Sequence, residues 1–279
     1  MKIFLIILSL LVSKSSFIFS QPQDLKKQFQ YAQQLYNDEQ YFDAITEYKR
    51  LLFFDNDKEY TFLSNFMIGK SYKMGAKFSD AIIYFTKAEI VATNNEDIYK
   101  SKIEKIRCNI LRRTTENAKQ LLNELESDKR FNDKIDKINY WRGWADIFSD
   151  DWDQATIDFE KSKMDTSLSA FCKNIDDERY STVLATVLSV FIPGSGQVYT
   201  GHYLSGLLSL GWNVLWGYVT VNAFIDNRIF DGFAVSNLLW LRFYNGNLQN
   251  AKKFAEENNL KISNHALYYL QYQYRGLKP

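Results

Sequence analysis

The residues of this chain whose types could do chemistry include Gly194-Ser195-Gly196, with His202 shortly after it. A serine nucleophile on a strand-to-helix elbow needs the spacing Gly-x-Ser-x-Gly and a base within hydrogen-bond reach. Here the glycines flank the serine directly, and His202 reads as a solvated histidine after a turn. His265 sits in an aromatic tail with Tyr268, Tyr269, Tyr272 and Tyr274. Asp151-x-Asp153 begins like a calcium loop but lacks the central glycine, and Ala155 belongs to a helical pattern. Cys108 and Cys172 fall in helical segments as packed small hydrophobes, although an exported chain could oxidise them. No nucleotide-binding loop and no His-Glu-x-x-His is present. No catalytic residue, metal ligand or cofactor is assigned, and no small-molecule substrate is identified. An enzyme with an unrecognised site stays open as an alternative.

The elements around these residues are set by charge. Over 279 residues, 34 Lys and Arg stand against 33 Asp and Glu, a net charge of +1 that gives no reason to expect a nucleic-acid partner. Two cysteines exclude a disulfide framework. The charge is unevenly spread: residues 21–179 carry 25 basic and 29 acidic side chains, whereas the 45 residues 181–225 carry none. Soluble surfaces do not tolerate such a run. The chain therefore divides into a leader (1–20), a polar domain (21–165), a linker (166–180), an apolar module (181–247) and a polar C-terminal tail (248–279).

Lys2, the apolar run Ile3 to Val12 and Ser20 follow the order of a secretory signal peptide. An uncleaved anchor is the alternative. The run is too short to span a bilayer, which needs about 20 apolar residues.

In the polar domain Ala44, Ala81, Ala118 and Ala155 recur every 37 residues. Around them the pattern returns: Ala32, Ala44 and Tyr48; Gly69, Tyr72, Ala81, Phe85 and Ala88; Gly143, Ala155 and Phe159. Read as helix pairs, the small Gly69 admits a close neighbour and Phe85 packs over Ala81 one turn on. The unit at Ala118 is degenerate, because Ile106 occupies the small position. This spacing resembles the tetratricopeptide repeat, whose unit is about 34 residues, so each unit here carries extra loop. The resemblance implies a stacked helical-hairpin solenoid with a groove that binds a partner segment; a plain spacer is the bland alternative. The basic run Lys100, Lys102, Lys105, Arg107, Arg112 and Arg113, and the acidic run Asp146, Asp150, Asp151, Asp153, Asp158 and Glu160, read as solvated faces or as docking surfaces.

The apolar module opens with Tyr180 to Ile192, is broken at Pro193-Gly194-Ser195-Gly196-Gln197-Val198-Tyr199-Thr200-Gly201, and continues through the uncharged Tyr203 to Phe224. At about 1.5 Å per residue that second stretch is long enough for a hydrocarbon core of about 30 Å. A third stretch, Ile229 to Tyr244, contains Asp231, Asn237 and Arg242. The string Pro193, Gly194, Gly196, Gln197, Tyr199, Gly201 resembles the turn of small bacterial membrane domains, and Phe243-Tyr244-x-Gly246-Asn247 with Ala251 resembles a closing motif of repeat-containing members. The resemblance implies a helical membrane unit of two or three apolar helices fused to an interaction domain. Gln197 and Tyr199 then recognise a lipid headgroup or a partner, or Gln197 simply caps backbone groups freed in the turn.

The expectation is thus an all-α, exported, non-enzymatic scaffold of a bacterial-type cell envelope, with the repeat domain periplasmic, and with a protein and membrane lipid as partners. A transport or remodelling accessory that uses the Pro-Gly turn, and a soluble exported protein with a buried C-terminal hairpin, are the alternatives.

Overall fold

The computed structural model describes residues 24–279, which are all-helical, with no strand among them. The leader expected over 1–20 lies outside the described residues. Two compact units divide the chain, one ending at Ile135 and the other running Asp136–Lys278.

The first unit holds three hairpins: α1 (Leu25–Asn37) with α2 (Tyr41–Phe54), α3 (Thr61–Met74) with α4 (Phe78–Val91), and α5 (Asn95–Leu111) with α6 (Thr115–Ser127). Each helix packs on the next in chain order, and a 3-10 turn, Lys129–Lys134, closes the unit. A fourth hairpin, α7 (Ile135–Phe148) with α8 (Trp152–Ser162), opens the second unit. The 37-residue period is written in the backbone as well as in the alanines. Glu39, Ala76, Arg113 and Asp150, one per hairpin turn, all take a left-handed conformation with φ of 61°, 56°, 60° and 65°. The next residue's N–H in each case bonds back to the end of the first helix: Gln40 to Leu35 O, Lys77 to Tyr72 O, Thr114 to Asn109 O and Asp151 to Asp146 O, at 2.8–3.0 Å. These bonds satisfy carbonyls that a helix end leaves without partners. The third hairpin, degenerate in side chains, keeps this turn. The chain is thus a run of helical hairpins compatible with tetratricopeptide-like repeats.

Packing inside the hairpins follows from the small positions. Ala32, Ala44, Tyr48, Ala81, Phe85, Ala88, Ala118, Ala155 and Phe159 are all buried, and Tyr72 packs at the edge of the core formed by the first hairpin. Phe85 does more than cover Ala81: its ring lies against Gly69, where an added Cβ would stand 2.7 Å from it, and the Phe159 ring lies against Gly143 at 2.8 Å. In the third hairpin the corresponding positions are Ile106 and Leu122, both fully buried, so a larger first residue goes with a smaller second one.

The second unit continues with α9 (Thr166–Glu178), α10 (Thr182–Phe191), the short α11 (Ser195–Tyr199), α12 (Tyr203–Ile225), α13 (Ile229–Val235), a π-helical turn (Ser236–Trp240) and the 32-residue α14 (Leu241–Tyr272). The stretch read as a linker, 166–180, is mostly α9, whose Leu168 and Cys172 are buried. The stretch read as a polar tail, 248–279, is largely α14, on which α10 packs through Ala185 against Ala251 and Ala255. No described helix is both long and apolar enough to cross a membrane. The crossing expected of Tyr203 to Phe224 is therefore unsupported: α12 has 23 residues, but three Gly, two Ser, two Asn and a Thr dilute its apolar character.

Candidate functional site

The site is built where α10 ends. Pro193 cannot continue the helix, and Ser195 N–H bonds to Ile192 O at 3.0 Å across Pro193 and Gly194, the latter at φ +95°. A turn with Pro second and a positive-φ residue third calls for glycine in that third place. Space demands it too, since a Cβ on Gly194 would meet Gly206 O of α12 at 2.1 Å. Gly196 is equally constrained, because its Cβ would fall 2.0 Å from Ala185 O and 2.8 Å from Ala251 Cβ, between α10 and α14. Gly201, at φ +80°, ends α11, where His202 N–H reaches back to Gln197 O at 2.8 Å.

The polar atoms of the turn converge on one residue of α14. Asn247 Oδ1 accepts from Gly194 N at 2.7 Å, from Gln197 Nε2 at 3.0 Å and from Ser209 Oγ at 2.9 Å. Gln197 Nε2 also donates to Asn247 O at 3.2 Å, and Asn247 Nδ2 donates to Ser189 O at 3.0 Å. Ser189 Oγ accepts from Gly196 N at 3.0 Å and donates to Gln197 Oε1 at 3.2 Å. Gln197, Ser189 and Asn247 are buried, with at most 2% of their surface exposed. Tyr199 OH accepts from Ser181 N at 3.2 Å while its ring packs edge-on against Tyr180. The side chains proposed to read a headgroup, Gln197 and Tyr199, are thus spent on the fold. Sequence reasoning missed Ser189 and the α14 asparagines 258 and 259, which bond to Thr200 O and to both backbone groups of Tyr180. Their signal was an excess of Asn on the polar stretch of α14, legible only once that stretch is placed beside the turn.

Beside this knot, α12 and α14 leave an open groove of about 870 Å³, lined by Leu204, Leu208, Trp212 and Phe243 on its apolar wall, with His202, Ser205, Asn250 and Arg242 around it. Trp212 and Phe243 stack at 5.5 Å. The exposed surface around the groove is apolar. On α12 the buried residues are Gly206, Asn213, Thr220 and Ala223, while Leu204, Leu207, Leu208, Val214, Leu215, Tyr218, Val221 and Ile225 are exposed. Helix α10 does the same, burying Ala185 and Ser189 and exposing Val183, Leu184, Val187, Val190 and Phe191.

Four cations of the basic run are paired inside the first unit. Lys102 and Lys105 pair with Glu89, Lys100 with Glu96 and Asp97, and Arg107 with Glu104. Lys73 and Glu104 form a largely buried pair at 2.9 Å; burial pushes the Lys73 ammonium below its ordinary pKa against the pull of Glu104. Cys108 beside them and Cys172 are free and buried, and burial pushes each thiol up to about 12. Asp151 caps α8 through Gln154 N at 3.2 Å, so the calcium-like stretch is a helix start. Among the described residues no three His, Cys, Asp or Glu side chains are placed to hold a metal ion.

Comparison with protein-family models, with curated proteins and with solved structures finds no match to the chain. The repeat and turn resemblances rest on this chain's own residues.

Proposed function

We propose that this protein is a non-enzymatic interaction scaffold of a cell envelope, held at a membrane by its second unit while the hairpins bind a protein segment. The observation that carries the reading is the inverted packing of α12: Asn213 and Thr220 are turned inward and a row of Leu, Val and Ile outward. Water penalises that arrangement and lipid favours it, and a contiguous apolar surface of this extent marks a membrane or protein contact. The helix does not meet the requirements for crossing a bilayer, so the reading is of a hairpin seated in the lipid surface, with Trp212, Trp216 and Tyr218 as the amphipathic rings such a position favours. The openness of these side chains weighs against a buried hairpin. The inward use of Gln197 weighs against the accessory reading, in which the turn itself acts.

The binding half of the proposal is supported by large apolar side chains that the first unit leaves exposed: Phe42, Phe53 and Ile90 each show more than three quarters of their surface. Flotation of the purified full chain with vesicles of phosphatidylcholine, alone and mixed with phosphatidylglycerol, tests the membrane half, and it must float with at least one of them. Co-flotation that withstands carbonate supports it, and a chain left at the bottom of the gradient with both rejects it. Substituting Phe42 and Phe53 by Ser tests the other half: partner capture by the wild type that both variants retain removes this surface from the reading.

A further inference from the structure

We infer that the groove between α12 and α14 is a seat for an anionic phospholipid, with Arg242 taking the phosphate and the wall of Leu204, Leu208, Trp212 and Phe243 taking acyl chain. The inference rests on the membrane reading above and names its ligand. Its first support is charge. Arg228 has Asp226 and Asp231 at 3.4 Å, Lys252 has Glu256 at 3.7 Å and Lys253 has Glu257 at 3.6 Å, whereas Arg242, the cation between them in sequence, makes no ion pair among the described residues. A guanidinium without a carboxylate, on the rim of an apolar groove, matches a planar, bidentate oxyanion.

The second support is position. Arg242 is the first charged residue of α14, where the apolar hairpin of 203–241 gives way to the Asn- and Lys-bearing helix. The Trp212, Trp216 and Phe243 rings stack beside it at 5.5–6.4 Å. Aromatic rings of this kind and a snorkelling cation mark the headgroup level of a membrane. The third is room: Gly246 lines the groove one turn from Arg242, and a Cβ there would meet nothing within 4 Å. An occupant with a phosphate at one end and a hydrocarbon chain fits this geometry, and a soluble phosphate would leave the apolar wall bare.

The test is flotation of the full chain with vesicles of phosphatidylcholine alone and of phosphatidylcholine mixed with phosphatidylglycerol. Wild type is expected to prefer the mixed vesicles. Arg242→Gln is expected to lower binding to them about fivefold, the effect of one cation near an anionic leaflet. Gly246→Leu, which fills the groove, changes no charge and raises helix propensity, is expected to lower the preference as well. Lys252→Gln, which removes a paired cation, is the control and should change it less. Equal binding of wild type to both vesicles, or a preference that survives Gly246→Leu, overturns the lipid seat and leaves membrane association standing. Competition by inorganic phosphate overturns the commitment to a lipid. Failure to float with either vesicle rejects the membrane reading, and the seat with it.

Discussion

Gln197 and Asn247 are 50 residues apart, yet Gln197 Nε2 donates to both the backbone and the side-chain oxygen of Asn247, at 3.2 and 3.0 Å. The Pro-Gly turn and the Phe-Tyr-x-Gly-Asn motif are therefore two halves of one lock, and Asn247 is its hub. Tyr244 OH, bonded to Val190 O at 2.9 Å, fastens the same junction one turn earlier.

Removing the hub strands several buried groups at once. Asn247→Ala leaves Gly194 N, Ser209 Oγ, the Gln197 amide and Ser189 O short of partners. Each unsatisfied buried group costs about 1–3 kcal/mol, and Gln197 keeps the backbone oxygen at 247, so a loss of about 3 kcal/mol is expected. Gln197→Ala should cost less, and the double variant should fall well short of the sum, because the two side chains act as a unit. Thermal melts of the four proteins decide it; additive losses would mean that the two residues stabilise the fold independently.

Gly69→Ala pits two effects against each other. Alanine gains about 1 kcal/mol over glycine inside a helix. Its Cβ would stand 2.7 Å from the Phe85 ring, and overpacking of this kind costs about 1–3 kcal/mol. Net destabilisation of about 1 kcal/mol is expected, with Gly143→Ala behaving alike against Phe159. In a Phe85→Leu background the sign should reverse, since the third hairpin already joins a larger first residue, Ile106, to a leucine, Leu122. A melt in which Gly69→Ala destabilises both backgrounds equally would refute the pairing.

What the sequence shows here is periodicity, and periodicity reports helices and their packed faces. The alanine series and the Gly69 and Phe85 pattern were legible because small and large residues at fixed spacing have one packing solution. The turn residues Glu39, Ala76, Arg113 and Asp150 were not, because four different side chains occupy one backbone conformation. Residues 166–178 looked like a linker because their charge hides a short apolar stripe with Leu168 and Cys172. The apolar module could be located by its missing charge. Which of its residues point inward could not, since on α12 Asn213 and Thr220 turn in and leucines turn out, against the usual burial of apolar side chains from which a helix face is read.

The same turn series yields a stabilising substitution. A left-handed non-glycine residue costs about 1–2 kcal/mol, and glycine returns part of that gain through its freer unfolded chain. Ala76 sits at φ 56° on an exposed turn, with no side-chain hydrogen bond to lose. Ala76→Gly should raise stability by about 0.5–1 kcal/mol, read as a shifted denaturant midpoint with unchanged slope. A lowered midpoint would show that the alanine side chain has a packing role.

Acid should loosen the second unit through two carboxylates. Burial alone would raise Asp150, but Arg179 at 2.8 Å, Ser263 at 2.5 Å and Trp152 at 2.9 Å bond to its carboxylate and hold it below the ordinary 3.8. Asp165 is likewise held low against burial by Ser167 and by Tyr274 OH at 2.5 Å. The unfolded chain takes up these protons at a higher pH than the folded one, so the stabilisation is complete above about 3.8 and fades as pH falls through the folded values. The Tyr274 hydroxyl lies 3.2 Å from that of Tyr140, which donates to Leu277 O, so Asp165 anchors a C-terminal strap, residues 273–278, that follows α14. Asp165→Asn should therefore be less stable than wild type near neutral pH and converge with it in acid. Two stability curves that stay parallel down the pH scale would show that Asp165 holds the strap by packing rather than by its charge.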